Sequence, residues 1–198
     1  MKIFVTRFTL FIAALAFSPV CHAQVVEPKI EKGSVIIYEV KENTTTYQYT
    51  VTVTKFSEAD GVELKWKTNE KPARSGTTSM AFSALDDATR LKIKLVSGNE
   101  KLGKDQLRVF FSNDVVTNLV GNKYVYIAFD EKEDMFLYTA KKAETAEIDY
   151  GGKKIKVDYT SGDAGKTQIG FISIGDYQVV HTFMSKDLSF TLKSISGK

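Results

Sequence analysis

His181 is the residue of this chain best suited to acid–base chemistry at neutral pH, because an imidazole titrates in that range. As a general base it would need a nucleophile beside it and a carboxylate to orient it. It lies in the apolar run of residues 179–184, where strand alternation predicts a shared face with Tyr177, Val179 and Phe183. The sequence around it shows neither partner. We therefore expect a core histidine bonded to a tyrosine or to the backbone, and no catalytic residues.

The N-terminal segment has the layout of a secretory signal peptide. Lys2 and Arg7 give it a positive start, residues 10–17 form an unbroken apolar run, and Ala23 completes a cleavage site of small residues. This three-part arrangement is typical of segments that are removed after export. We predict that residues 1–23 are cleaved, so that the mature protein begins at Gln24.

Cleavage at this point limits the chemistry of the mature protein, because it removes Cys21 and His22. Neither a disulfide nor a thiolate metal site is then expected. A cysteine-free exported chain is ordinary for a bacterial envelope and unusual for an extracellular animal protein. We predict a bacterial protein of the periplasm or the extracellular space. Residues 18–20 fit a lipidation motif poorly, so we expect no lipid anchor at Cys21.

The charge balance argues against a nucleic-acid partner. The chain has 27 Lys and Arg against 24 Asp and Glu, a formal net charge of +3, and the signal peptide holds two of the basic residues. The mature protein is therefore close to neutral, whereas nucleic-acid binders carry a clustered positive patch. After residue 23 no apolar run approaches the ~20 residues of a spanning helix, so we expect no transmembrane helix after cleavage.

Metal binding is poorly supported by the residue types. Zinc needs three or four ligands, mostly Cys and His, and the mature chain has no Cys and only His181. Calcium prefers oxygen ligands, and the densest acidic cluster is Asp130, Glu131, Glu133 and Asp134. This cluster lacks the spacing and the glycine of a calcium loop, and it contains Lys132. We interpret it as a solvated hairpin turn, with calcium as the alternative, and expect no cofactor.

The alternation of apolar and polar residues predicts an all-β fold. Strand patterns recur at short spacing, with turns at residues 60–61 and 151–152, which is typical of sandwiches and barrels. We predict an antiparallel β-sandwich or half-open β-barrel of roughly 10–12 strands. This single domain is expected to cover residues 33–198, after a leader at residues 24–32. Two short helices are predicted, with Ser83 and Ser112 as their N-caps.

Three segments carry more specific expectations. Leu91, Ile93 and Leu95 alternate with lysines and predict a strand, and residues 107–111 predict another. Residues 124–129 are apolar at every position, so the strand there is expected to be covered on both faces.

Aromatic side chains are the one compositional surplus, with nine Tyr, one Trp and 13 Phe in the whole chain. Core packing is the simplest explanation for each of them, and an aromatic-lined cavity is the functional alternative. The candidate ligand-binding residues are Tyr47, Tyr49, Trp66, Tyr124, Tyr126 and His181.

Three functions remain open at this point. The first is a non-catalytic envelope protein that binds an apolar or amphipathic, lipid-like molecule in a concave cavity of ~300–1,000 Å³. The alternative is a structural or interaction module that binds envelope protein or glycan through an exposed apolar or aromatic patch. The third is a hydrolase that uses only carboxylates, which would need two facing acids in a cleft.

Overall fold

β-Strands dominate the part of the chain that the computed structural model describes, residues 27–130, 135–140 and 144–197. Eleven strands there have six or more residues, and four shorter ones lie between residues 90 and 111. The all-β prediction is confirmed. The strands are β1 (Val35–Glu42), β2 (Thr45–Ser57), β3 (Gly61–Thr68), β4 (Ser75–Met80), β5 (Arg90–Leu91), β6 (Gly98–Lys101), β7 (Gln106–Leu107), β8 (Phe110–Phe111), β9 (Tyr124–Phe129), β10 (Met135–Ala140), β11 (Glu144–Tyr150), β12 (Lys153–Ala164), β13 (Thr167–Ile174), β14 (Tyr177–Met184) and β15 (Leu188–Ser196).

The first four strands form an antiparallel meander in chain order, and β6 adds a parallel edge strand to β4. One face of this meander is buried. Successive side chains of a strand point to opposite faces of the sheet, and the apolar residues occupy alternate positions. Tyr47, Tyr49 and Trp66 are all on the buried face, as the alternation predicts. On its other side, β1 pairs with β15, so the meander continues directly into the C-terminal strands.

The last five strands close into a small barrel. β11 to β15 pair in order, and β11 returns to lie parallel to β15 at Asp149–Ser194 and Tyr150–Ile195. Gly151 and Gly152 make the tight turn between β11 and β12, both with positive φ, as the sequence predicts for a hairpin. The sandwich-or-barrel prediction is therefore confirmed, with the barrel part closed.

A β-bulge in β14 gives two consecutive residues to the interior. The register with β13 shifts between Gly170 and Phe171, so His181 is an extra residue with no opposite partner. Val179 and Val180 are consequently both buried, and alternation fails at this point of the strand. The predicted common face of residues 177, 179, 181 and 183 is therefore wrong from His181 onwards.

We name residues 90–111 the covering segment. Its residues 91–95, 108 and 109 lie opposite the buried face of β1, β2, β14 and β15, while β6 pairs with β4 and β8 pairs with β14. The predicted strand at residues 91–95 is wrong, since only Arg90 and Leu91 pair with neighbours. The backbone N–H groups of Ile93 and Lys94 instead donate to the carboxylate of Asp130, at 2.8 and 2.9 Å. A side-chain acceptor of this kind competes with the ladder of a sheet.

The predicted strand at residues 107–111 is interrupted. Val109 has a φ of 60°, an uncommon conformation for a β-branched residue, and it separates β7 from β8. Its carbonyl accepts a hydrogen bond from Val180 N–H, which ties the covering segment to the bulge of β14.

Two helices connect the strands, α1 (Ala84–Asp87) and α2 (Asn113–Asn122). Ser112 caps α2 as predicted, because its hydroxyl accepts from Val115 N–H. The predicted cap of α1 is wrong: Ser83 has helical backbone angles and its side chain makes no capping bond. None of the helices in the described residues is long and apolar enough to cross a membrane.

The expectation for β9 is also corrected. Val125, Ile127 and Phe129 are buried, but Tyr124 and Tyr126 are 53% and 54% exposed. The strand is therefore covered on one face along its first half. Tyrosine tolerates this position because its hydroxyl remains in water while the ring covers neighbouring apolar surface.

Candidate functional site

A small cavity lies between the concave face of the sheet and the covering segment. Its volume is about 30 Å³, room for roughly two water molecules. One wall comes from β1, β2, β14 and β15, and the other from the covering segment. The lining residues are Tyr38, Tyr49, Val180, Phe183 and Phe190 on the sheet side, and Leu91, Lys92, Ile93, Leu95, Arg108 and Val109 on the other.

The sheet side of this cavity is an aromatic wall. The rings of Tyr38 and Tyr49 stack with centroids 5.9 Å apart, and Phe190 meets both edge-on at 6.3 and 6.1 Å. Phe183 contacts Phe190 at 6.5 Å. Mutual contacts of this kind fix the ring orientations, so the wall is a preformed apolar surface.

Arg108 brings a buried charge to the opposite side. The residue is 1% exposed, and its Nη2 donates to Glu100 Oε2 at 2.7 Å and to the Lys94 carbonyl at 3.0 Å. Among residues 27–130, 135–140 and 144–197, no partner lies at hydrogen-bond geometry to its Nε or Nη1. The side chain of Lys92 is also buried, with Nζ 4.0 Å from Glu100 Oε1. A charged core group needs such pairing, because burial removes its hydration.

Three buried polar atoms of the sheet also lack a partner at hydrogen-bond geometry among the described residues: the Tyr49 hydroxyl, Trp66 Nε1 and Thr78 Oγ1. Of these residues only Tyr49 lines the cavity, where the Arg108 side chain lies close enough to its hydroxyl to oppose the rise of its pKa. Burial raises the pKa of Tyr49 to about 12, although the charge of Arg108 opposes this shift. Each unsatisfied buried group costs about 1–3 kcal/mol, so their number calls for a ligand or for ordered water.

The structure brings few of the sequence-predicted site residues together. Tyr49 lines the cavity, and the ring of Trp66 lies 5.9 Å from it, edge-on. Tyr124 and Tyr126 are exposed on β9 and do not line the cavity.

Tyr47 belongs to a separate polar cluster at the rim of the meander. Its hydroxyl donates to Glu42 Oε2 at 2.9 Å and accepts from Arg74 Nη2 at 2.7 Å. Arg74 also pairs with Glu42 and Glu70 and lies over the Tyr47 ring, 5.1 Å from its centroid. Burial of the ring raises the pKa of Tyr47, as does its bond to Glu42. These contacts occupy the polar atoms of Tyr47.

His181 lies half-buried against Tyr159. The two rings meet edge-on at 5.2 Å, and Nδ1 lies 2.8 Å from the hydroxyl oxygen of Thr182. Burial lowers the pKa of this histidine. The expected bond to a tyrosine or the backbone is replaced by a ring contact and a threonine hydroxyl.

Sequence reasoning missed Arg108, Tyr38, Phe183 and Phe190 as site residues. A signal for Arg108 was present, since it is the one charged residue in the apolar run of residues 107–111. Charged residues are almost never fully buried without a specific partner, so an arginine inside an apolar strand pattern marks a special position.

A second concavity is an open cleft of about 930 Å³ beside α1. Phe82 and Tyr177 form an aromatic floor, with ring centroids 6.2 Å apart. Four acids and two lysines line the cleft: Glu58, Asp60, Asp86, Asp176, Lys101 and Lys104. Partial burial raises the pKa of Tyr177, and the charges of Asp176, Asp86 and Glu58 add to this. The fold thus gathers acids that are scattered in the sequence.

Of the predicted calcium cluster, Glu131, Glu133 and Asp134 lie outside the described residues. Asp130 is described, and one of its carboxylate oxygens already accepts the two backbone N–H groups of the covering segment. Among residues 27–130, 135–140 and 144–197, no group of three or more His, Cys, Asp or Glu has a metal-binding arrangement.

Comparisons with protein-family models, with curated proteins and with solved structures yield no match for this chain.

Proposed function

We propose that this protein is an exported, non-catalytic binding protein for an apolar or amphipathic, lipid-like molecule, and that the ligand lies between the aromatic wall and the covering segment. The observation that carries the proposal is that aromatic and apolar side chains line the cavity together with the buried Arg108. Apolar and aromatic walls with a few unpartnered polar atoms are typical of small-molecule sites.

A cavity of about 30 Å³ holds no complete lipid, so the ligand must displace residues 91–95 of the covering segment, while Arg108 stays in place. Residues 92–95 lie outside the strands, although their apolar side chains are buried, so ladder hydrogen bonds do not hold them as they hold the paired strands. Opening at such a position costs less free energy than separating two long paired strands. Opening would expose the apolar side chains of Leu91, Ile93 and Leu95 together with the aromatic wall.

Titration with a long-chain alcohol, followed by the fluorescence of Trp66, tests the proposal. Trp66 is the only tryptophan and contacts Tyr49 of the cavity wall. We expect saturable binding to the wild type and its loss in Val180→Phe, which fills the cavity. Val120→Phe on the exposed face of α2 adds the same group and should leave binding unchanged.

Two results would contradict the proposed site. No binding of any long-chain amphiphile to the wild type would remove the proposed function. Binding that survives Val180→Phe but is lost in Tyr177→Ala would place the ligand in the open cleft instead.

The exported location is tested separately. Expression of the whole gene in a bacterium should yield a mature protein whose N-terminal residue is Gln24, as read by mass spectrometry. A chain that retains residues 1–23 in the cytoplasm would contradict it.

A second candidate function is an interaction module, and Tyr124 and Tyr126 favour it. Both are more than half exposed on the same face of β9, ~7 Å apart along the strand. Paired exposed rings are typical of surfaces that bind glycans or proteins. Loss of binding to envelope glycan in the Tyr124→Ala, Tyr126→Ala double variant, with the Val180→Phe variant unaffected, would support this function over the first.

A further inference from the structure

Arg108 has hydrogen-bonding capacity that the fold does not use. Its Nη2 is occupied by Glu100 and by the Lys94 carbonyl, but within the described part of the chain no acceptor lies at hydrogen-bond geometry to Nε or Nη1, and the Tyr49 hydroxyl is close to the same side chain. The side chain lines the cavity and is 1% exposed. Unpaired donors on a buried cation are costly, because hydrogen bonds to charged groups are about twice as strong as neutral ones.

We propose that the ligand is an anionic amphiphile whose carboxylate, or a group of similar shape, accepts a hydrogen bond from Nε or Nη1 of Arg108. The inference rests on the proposed function, because it assigns the head group of the same ligand. Tyr49 supplies a second donor, since its hydroxyl lines the same cavity close to the Arg108 side chain.

The geometry limits how the anion binds. A guanidinium usually holds a carboxylate through two parallel N–H groups, and Nη2 belongs to both edges that allow this. Glu100 occupies Nη2, so the ligand receives one charged hydrogen bond from Arg108 instead of a fork. Removing the charge of Glu100 should therefore strengthen binding of an anion.

The size of the cavity fits this assignment. With room for roughly two water molecules, it can hold the two oxygens of a carboxylate beside Arg108, while the tail takes the space that residues 91–95 leave when they move. The aromatic wall of Tyr38, Tyr49 and Phe190 continues from the same space, and it suits an alkyl tail. A small free carboxylate would occupy the head-group position alone. A small carboxylate and an anionic amphiphile can therefore be distinguished by whether affinity depends on the length of the alkyl tail.

The experiment compares ligands that differ only in the head group. Dodecanoate, dodecanol and acetate are titrated against the whole mature protein by calorimetry, at a pH at which the acid is ionised. We expect dodecanoate to bind ~10-fold more tightly than dodecanol, the difference that one charged hydrogen bond supplies. Acetate should bind far more weakly than either.

Two variants locate the effect. Arg108→Gln should lose the preference for the acid while it still binds dodecanol. Glu100→Gln should increase the preference, and it decides the question if Arg108→Gln does not fold. The matched surface variant Lys193→Gln, in an exposed ion pair with Glu39, should leave the preference unchanged.

The outcomes separate this inference from the proposed function. Equal binding of dodecanoate and dodecanol overturns the anionic head group and leaves the proposed function standing. Binding of neither overturns both, and ordered water then explains the unpartnered donors. Acetate binding as tightly as dodecanoate would overturn the amphiphile and identify a small carboxylate as the ligand.

Discussion

Tyr38 and Val180 are 142 residues apart in the chain, and the phenol of the first donates a 2.9 Å hydrogen bond to the carbonyl of the second. Val180 is opposite Phe171 of β13, directly before the bulge residue His181. Val180 N–H donates to Val109 of the covering segment. A single residue of β14 thus connects the meander, the barrel and the cover of the cavity.

Replacing Tyr38 with Phe should therefore destabilise the protein. The Val180 carbonyl would be left buried without a donor, at a cost of about 1–3 kcal/mol. Urea unfolding measures the change, with Tyr126→Phe as the matched control because that hydroxyl is on an exposed residue. Equal stability of the two variants would show that the Tyr38 bond contributes nothing to folding.

Gly76→Ala should be destabilising by about 1–3 kcal/mol, the usual cost of overpacking. A Cβ at Gly76 would meet the Gly98 carbonyl and two ring carbons of Trp66, the latter at 2.8 and 3.0 Å. Gly121→Ala is the control, since a Cβ there meets no atom within 4 Å and replaces a helical glycine. We expect that variant to gain ~0.5–1 kcal/mol in thermal or urea unfolding. A Gly76→Ala protein as stable as the wild type would contradict the close approach.

Arg74→Met should cost up to about 1 kcal/mol at neutral pH, the range of a partly exposed ion pair. The hydrogen bond from Arg74 lowers the pKa of Glu42 below the usual 4.5 of a glutamate. A carboxyl group whose pKa is lowered by folding stabilises the protein at any pH above its pKa in the unfolded chain. This contribution is lost as the pH falls through its pKa in the folded protein. The difference between wild type and variant should therefore shrink below pH 4.5, as measured by urea unfolding. A difference that stays constant there would exclude the Glu42 pair as its cause.

His181 should make the protein less stable in mild acid. Burial lowers its pKa below 6.5, so the unfolded chain binds the proton first as the pH falls. The contribution of the neutral imidazole to stability is fully present above pH 6.5, the pKa in the unfolded chain. It decreases as the pH falls from 6.5 to the lower pKa of the folded protein. His181→Gln should flatten this part of the stability curve. Carboxyl groups titrate in both proteins, so the difference between the two curves isolates the histidine. Parallel curves would contradict the assignment.

The regular strands were predictable because buried and exposed side chains alternate along them. Tyr47, Tyr49 and Trp66 are buried where alternation places them, and the glycine pair at residues 151–152 makes the expected hairpin turn. The covering segment was not predictable from this alternation. Lys92 is buried between two buried apolar neighbours, and Asp130 takes the backbone donors that a strand would use.

Most of the candidate site depends on long-range pairing that a sequence pattern does not encode. The bulge at His181 exists only in register with β13, and it decides that Val180 faces the cavity. Arg108 reaches Glu100 only because β6 pairs with the edge strand β4. Local periodicity shows which face of a strand is buried, but not which other strand lies opposite that face.

The pairing of β1 with β15 has a consequence in time. Val35 lies opposite Ser196. The first strand of the described chain can therefore complete its pairing only after the last strand has been synthesised. Contacts of such sequence separation make folding slow. During synthesis one edge of β1 has no partner, because β15 is made last. When the ribosome releases the chain, the pairing of β1 with β15 has not yet formed. We therefore expect β1 and β15 to join after release, in the last stage of assembly.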